Sequence, residues 1–152
     1  MQLQTHIKSD LNNRKGYIIV DQYAMHFVTF TIVGWVDVFT RKECKEIFIN
    51  SLKYCIENKG LLLYAYVIMP SHVHLNISAK ENSQGLSAII RDMKKHVSKE
   101  ILKWTLNSRK ESRKEWLEVV FKYHAKHNKN NSAYQVWQQN NHPKVLCIQG
   151  LL

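Results

Sequence analysis

The sequence contains few of the residues that mark disulfide-rich, multidomain or membrane-embedded proteins. Its three cysteines, Cys44, Cys55 and Cys147, are odd in number and lack C-x-x-C spacing, which excludes a disulfide framework and a cysteine zinc site. Five glycines and two prolines leave no linker composition. We therefore expect one domain over residues 1–152, with residues 1–22 as an N-terminal extension and residues 144–152 as an atypical tail.

Long apolar runs are also missing. No segment approaches the roughly 20 apolar residues of a membrane span, and the N-terminus has no apolar signal-peptide region. We expect a cytoplasmic protein without a membrane partner.

Acidic residues are scarce relative to basic ones. Lys and Arg together number 22 and Asp and Glu number 12, so the formal net charge is +10. Such a charge attracts polyanions, and nucleic acid is the first partner to consider. Solubility alone is the other explanation for a basic composition.

The first half of the chain predicts three strands and one helix. Residues 25–35 predict a central strand, because apolar residues occur at both parities. Thr40 and Glu43 predict a capping box for a helix that ends at Gly60 and buries Phe48, Leu52, Cys55 and Ile56. Residues 61–69 predict a buried strand, and residues 72–79 predict a third strand antiparallel to it.

The second half returns to a helical period at Gln84. One face of this predicted helix carries Leu86, Ile89, Ile90, Met93, Val97 and Ile101. A second amphipathic segment follows around Trp116, Leu117, Val120, Phe121 and His124, and residues 133–138 alternate as a fourth strand would. This order predicts an α+β fold, a ferredoxin-like split βαβ sandwich with an antiparallel four-stranded sheet and helices on one face.

Two histidines lie two residues apart on the third predicted strand. His72 and His74 therefore point to the same face, while Val73 and Leu75 point into the core. Two neutral imidazoles placed in this way can share one divalent ion. The alternative is that both are polar residues on a solvated face, and the spacing alone leaves both interpretations open.

Four segments, in order, resemble one protein family. Residues 66–75 (YVIMPSHVHL) resemble the histidine-hydrophobe-histidine (HUH) strand of single-tyrosine transposases of insertion-sequence-200-like elements and their REP-associated relatives. The other matches are residues 26–31 (HFVTFT), 90–95 (IRDMKK) and 137–143 (WQQNNHP). The resemblance implies a transposase that cleaves and rejoins single-stranded DNA. In that reaction a tyrosine hydroxyl attacks a phosphate and forms a 5′-phosphotyrosine.

The resemblance also implies a cofactor and partners. A divalent ion, Mg²⁺ or Mn²⁺, would be held by His72 and His74 and would polarise a phosphate oxygen. The DNA partner would be single-stranded with hairpin ends. Relatives with this fold are often dimers, so a homodimer is an assembly that the resemblance allows.

The nucleophile is the point at which this sequence departs from the family. Family members carry the tyrosine on a helix after the N-H-P segment, whereas residues 144–152 contain no tyrosine. We therefore expect the catalytic tyrosine to lie beyond Leu152 in a C-terminally truncated member, with no DNA cleavage by these 152 residues. Tyr134 is the fallback nucleophile, Tyr123 is a weaker one, and Tyr64 and Tyr66 are expected to pack on the predicted buried strand.

Basic and aromatic side chains offer DNA contacts. Phosphates could be neutralised by Arg91, Lys94, Lys95 and Lys99, or these residues could form the solvated side of a helix. Trp104, Trp116 and Trp137 could stack on unpaired bases or pack in the core. Two other functions remain open: a catalytically inactive remnant that binds hairpin or single-stranded DNA, and an unrelated ferredoxin-like RNA-binding module.

Overall fold

In a computed structural model that describes residues 18–128 and 133–146, four strands form one antiparallel sheet. The elements are β1 (His26–Thr31), α1 (Lys42–Asn58), β2 (Leu61–Ile68), β3 (His72–Ala79), α2 (Leu86–Asn107), α3 (Lys114–Lys126) and β4 (Lys144–Val145). The strand order is β2-β3-β1-β4, and every neighbouring pair is antiparallel. This order confirms the predicted ferredoxin-like α+β sandwich.

One face of the sheet and the apolar faces of the helices share a single core. Val73 and Leu75 of β3 are buried there together with Phe30 of β1. From α2, the core receives all six predicted residues: Leu86, Ile89, Ile90, Met93, Val97 and Ile101. Burial of a large aliphatic side chain contributes about 1.5–3 kcal/mol, so this face fixes α2 against the sheet.

β1 is shorter than the predicted strand. Its pairing with β3 ends at Thr31, and a 3₁₀ turn follows at Val33–Trp35. Gly34 and Trp35 have φ angles of +62° and +54°, in the left-handed region, where a strand cannot continue.

The predicted capping box is wrong. Thr40 ends a second 3₁₀ turn, Val38–Thr40, and its hydroxyl donates to the carbonyl oxygen of Asp37. The α1 helix begins at Lys42 without a side-chain cap, and the Glu43 carboxylate pairs with Lys110 at 2.8 Å instead.

β2 is an edge strand, which corrects the prediction of a buried one. Only Leu61 of this strand is buried, and the side chains of Tyr64 and Tyr66 are 54% and 49% exposed. A short apolar run does not distinguish an edge strand from an interior one. The expected packing of these two tyrosines is therefore also wrong, and Ile56 of α1 is likewise exposed rather than buried.

The fourth strand lies later in the chain than predicted. Residues 133–138 form a connection that makes one isolated bridge, between Trp137 and Ile32, while Lys144 and Val145 pair with β1. Val136 and Trp137 are buried, so the alternation in this segment reflects core packing beyond the end of β1 rather than a strand.

Several predictions fall outside the described residues. These include residues 1–17 of the expected extension and residues 147–152 of the expected tail, where Cys147 lies. Cys44 and Cys55 are buried free thiols. Among the described residues, no helix is both long enough and apolar enough to cross a membrane.

Candidate functional site

His72 and His74 lie side by side on the face of β3 that points away from the core. Their ring centroids are 4.8 Å apart and their planes are inclined at 74°. Val73, between them, is fully buried on the opposite face. The sheet therefore presents two adjacent imidazoles, as the i, i+2 spacing predicts.

Each of these histidines has one ring nitrogen beside a hydroxyl. Oγ of Ser71 lies 3.1 Å from Nδ1 of His72, and Oγ1 of Thr29 lies 2.9 Å from Nδ1 of His74. Thr29 reaches His74 because the two residues are directly paired between β1 and β3. With both Nδ1 atoms engaged, Nε2 of each ring is the nitrogen available to a ligand, an arrangement that orients metal-binding imidazoles.

The protonation of His74 is shifted toward the form that can bind a metal. Partial burial lowers its pKa, and repulsion from His72 lowers it further. Near neutral pH the neutral imidazole, which carries a free lone pair, is therefore favoured.

Two aromatic rings flank the pair. Phe27 stacks on His74, with centroids 5.2 Å apart and planes inclined at 20°. Trp35 meets His72 edge to face at 5.6 Å, and its side chain is 63% exposed. Lys144 is paired with Phe27 across β1 and β4, so it belongs to the same face of the sheet.

The described residues supply two metal donors at this position. Within residues 18–128 and 133–146, no group of three His, Cys, Asp or Glu side chains could hold a metal ion. An imidazole pair suits Mn²⁺ or another transition metal better than Mg²⁺, which prefers oxygen ligands.

Lys94 is separated from the other predicted DNA-contacting residues. Its largely buried ammonium donates to the carbonyl oxygen of Gln138 at 3.0 Å and to Oδ1 of Asn141 at 2.6 Å. It also lies 5.3 Å from the ring centroid of Phe30. Burial lowers the pKa of Lys94 to about 8. The ammonium of Lys94 thus donates its hydrogen bonds to groups within the protein.

The contacts of Lys94 extend to the histidine pair. The carbonyl oxygen of Asn141 accepts a hydrogen bond from the Thr29 amide at 2.9 Å, and the Thr29 hydroxyl contacts His74. Lys94 therefore joins the segment around residues 138–141 to the strand that orients His74.

Arg91, Lys95 and Lys99 form a row on α2, here called the basic row. They are spaced by four residues, so they neighbour one another on the helix, and all three are exposed. Arg91 also pairs with Asp92 at 2.9 Å. The row lies opposite the buried face of α2, so it points away from the sheet, whereas the histidines lie on the far face of that sheet. The structure does not bring the two groups together.

None of the predicted tyrosines is hydrogen-bonded to the histidine pair. Tyr134 is half-buried against the core, and its hydroxyl donates to Oε1 of Glu118 at 3.3 Å. The ring of Tyr123 packs against His127 at 4.5 Å. Among the described residues, the side-chain hydrogen bonds of His72 and His74 are made by Ser71 and Thr29.

The predicted stacking tryptophans have different environments. Trp137 is buried in the core, Trp104 is partly buried against the core, and Trp116 is 52% exposed. Trp35, the tryptophan beside the histidines, ends the segment that the sequence predicts as a strand, and in the structure it lies in a 3₁₀ turn. The Gly34-Trp35 pair was the available signal for a turn, since glycine favours positive φ.

Two comparisons with known proteins found similar sequences or structures. A family model described as "Transposase IS200 like" matches residues 19–138. Among solved structures, a REP-associated tyrosine transposase bound to a REP hairpin is similar, with a TM-score of 0.47 and 16% identity. The match covers 88% of this chain and 61% of that chain, so this chain spans less than two thirds of that protein's length. No curated protein matches.

Proposed function

Because the chain belongs to the IS200-like transposase family, we propose that it takes part in metal-assisted cleavage and rejoining of single-stranded DNA at hairpin-bearing ends. This reaction would transpose an insertion sequence through a phosphotyrosine intermediate. The observation that carries the proposal is the pair His72 and His74, with a hydroxyl at each Nδ1, on the sheet face that points away from the core.

In this proposal His72 and His74 would hold a divalent ion, Mn²⁺ or Mg²⁺, through their Nε2 atoms. The ion would polarise a non-bridging phosphate oxygen and offset the negative charge that builds in the transition state. Ser71 and Thr29 keep the two rings oriented for that role. The lowered pKa of His74 keeps its ring neutral, so that a proton does not compete for the nitrogen.

The nucleophile in this proposal is a tyrosine other than Tyr134, beyond Leu152. Its hydroxyl oxygen would bond to phosphorus as the bond to the 3′ oxygen breaks, and the proton lost by the tyrosine balances the one gained by the 3′-hydroxyl. A nucleophile must sit about 3–3.5 Å from the reacting atom. The hydroxyl of Tyr134 is instead directed at Glu118.

The basic row is proposed to contact phosphates on a second surface. Arg91, Lys95 and Lys99 lie across the sheet from the histidines, so their contacts would serve DNA affinity rather than the reacting phosphate. Lys94 is left out of this role because its ammonium is bonded to Gln138 and Asn141.

Titration calorimetry with Mn²⁺ tests the metal site. We expect wild-type protein to bind Mn²⁺ and the His72→Ala/His74→Ala double variant to lose that binding. The matched control replaces two exposed histidines elsewhere, His96→Ala/His127→Ala, and should bind as wild type does. Unchanged binding in the His72/His74 variant would contradict the proposal.

A second candidate is a catalytically inactive remnant that binds hairpin DNA. It is favoured by one observation: among the described residues, no tyrosine hydroxyl hydrogen-bonds to His72 or His74. Incubation with a labelled hairpin oligonucleotide and Mn²⁺, followed by a denaturing gel, separates the candidates. We expect no covalent adduct from these 152 residues, and an adduct once a tyrosine-bearing helix follows Leu152. Failure of the extended chain would favour the remnant, and an adduct lost in Tyr134→Phe would identify Tyr134 as the nucleophile.

A further inference from the structure

The turn at Val33–Trp35 holds an exposed tryptophan in a backbone conformation that bulky residues rarely adopt. The φ angle of Trp35 is +54°, in the left-handed region, where a Cβ atom is crowded. The ring is 63% exposed, so its burial does little to offset this cost. Backbone strain of this kind concentrates at functional sites, where the surrounding structure enforces it.

The surrounding contacts fix both the turn and the ring. The Trp35 amide donates to the carbonyl oxygen of Ile32 at 3.1 Å, which closes the turn. At Gly34 the turn lies close to α3, because a Cβ atom at this position would lie 3.4 Å from Nε2 of His124. On the other side the Trp35 ring meets His72 edge to face. Trp35 is thus held beside the proposed metal position with most of its side chain open to solvent.

We propose that Trp35 is a stacking platform for an unpaired DNA base whose neighbouring phosphate lies at His72 and His74. This inference rests on the proposed function and adds a base-binding position to it. The ring of Phe27, on the other side of the pair, is already stacked on His74, which leaves Trp35 as the open aromatic surface there among the described residues. An unpaired base has a free π-face, whereas bases within a duplex are stacked on both sides.

The chemistry of the partner follows from the charge of the protein. A net charge of +10 and a proposed metal ion both favour a polyanion, and the exposed indole favours a flat aromatic group carried by that polyanion. Single-stranded DNA combines the two. Because every base offers a π-face, the Trp35 platform should tolerate any of the four bases.

Replacement of Trp35 by Asn separates binding from stability. Asn tolerates positive φ, so Trp35→Asn removes the ring without adding backbone strain. Binding to a hairpin oligonucleotide with a single-stranded extension is measured by fluorescence anisotropy with Mn²⁺. We expect Trp35→Asn to bind about 5- to 150-fold more weakly, the range given by loss of one stacked base. Trp35→Phe should recover most of the affinity.

Two further measurements exclude a structural explanation. Trp35→Asn should melt at or above the wild-type temperature, because Asn tolerates the positive φ angle and the lost ring is mostly exposed. A lower melting temperature would indicate that Trp35 is kept for packing. Tyr54→Ala removes a comparably exposed aromatic side chain from α1 and should bind DNA as wild type does.

An abasic scan of the extension locates the base. At one position an abasic nucleotide should weaken wild-type binding and leave the affinity of Trp35→Asn unchanged, because the stacking partner is already gone. Wild-type affinity in Trp35→Asn, or an equal loss for fully duplex DNA, would overturn the platform and leave the proposed function standing. If wild-type protein binds no hairpin, the proposed function and this inference both fail.

Discussion

Thr29 lies 45 positions before His74 in the sequence, yet its hydroxyl is 2.9 Å from Nδ1 of that histidine. No motif marks this threonine as part of a site, since its role arises from the pairing register of β1 and β3. Ser71 reaches His72 by a different route, because it is the adjacent residue. The histidine pair is visible from its own spacing, and the groups that orient it depend on a distant strand.

Thr29→Val should weaken Mn²⁺ binding about 10-fold or more, because it removes the hydrogen bond at Nδ1 of His74 while keeping a β-branched shape. Titration calorimetry measures the affinity. Thr40→Val deletes a hydroxyl that donates to Asp37, away from the histidines, and should leave Mn²⁺ binding unchanged. Equal affinities in wild type and Thr29→Val would show that this hydroxyl does not orient the metal ligand.

At the scale of elements, side chains outside the strands hold the connections in place. Lys94 of α2 anchors the segment that leads into β4 through Gln138 and Asn141. Glu111, between α2 and α3, anchors the start of α1: its carboxylate pairs with Arg41 at 3.0 Å and with Arg113 at 3.1 Å. Both charged groups are largely buried, so their partners must satisfy them.

Lys94→Met should lower the free energy of unfolding by about 2 kcal/mol, because it leaves partly buried acceptors on Gln138 and Asn141 without their donor. Urea denaturation measures this change. Amide hydrogen exchange at Thr29 should also accelerate, since its acceptor, the carbonyl oxygen of Asn141, loses its anchor. Lys95→Met is the matched control on the exposed side of α2 and should retain wild-type stability. A stable Lys94→Met with reduced DNA affinity would instead make Lys94 a phosphate ligand.

The ionisation of Glu111 should make stability fall in acid. Burial opposes its ionisation, but hydrogen bonds from Arg41 and Arg113 outweigh burial and lower its pKa from 4.5 to about 2. A carboxylate with a lowered folded-state pKa contributes stability above its unfolded pKa and loses it as pH falls through the folded value, here about 3 kcal/mol between pH 4.5 and pH 2.

Urea unfolding of wild type and Glu111→Gln between pH 7 and pH 3 tests this linkage. The stability difference between the two proteins should be largest at pH 7 and should shrink as the pH falls below 4.5. A difference that does not change with pH would rule out the carboxylate charge as its cause.

At the scale of the whole molecule, the sheet separates the histidine pair from the basic row. His72 and His74 lie on one side of the sheet. The basic row of Arg91, Lys95 and Lys99 lies on the other side, on the solvent-facing surface of α2. A single phosphate of bound DNA therefore cannot contact the histidine pair and the basic row at the same time. The two surfaces should therefore be separable by mutation.

Lys95→Ala/Lys99→Ala should reduce the slope of log affinity against log salt concentration by about 0.7 for each lost contact to single-stranded DNA. Binding to a hairpin oligonucleotide over a range of salt concentrations measures the slope. Mn²⁺ affinity should not change, because the histidines lie across the sheet. The control, Lys45→Ala/Lys53→Ala, removes two exposed lysines from α1. An equal decrease in that control would indicate non-specific charge attraction rather than a DNA-binding row.

The sequence alone determined the features that depend on local periodicity. The apolar face of α2, the β2–β3 hairpin and the shared orientation of His72 and His74 each follow from residues a few positions apart, so side-chain geometry within one element was sufficient. Only the tertiary structure decided what depends on contacts between distant segments: Thr29 beside His74, the burial of Lys94, and the pairing of β4 with β1 at residues 144–145. These features depend on the register between strands and on which surfaces other elements cover. The residue pattern of a single segment contains neither kind of information.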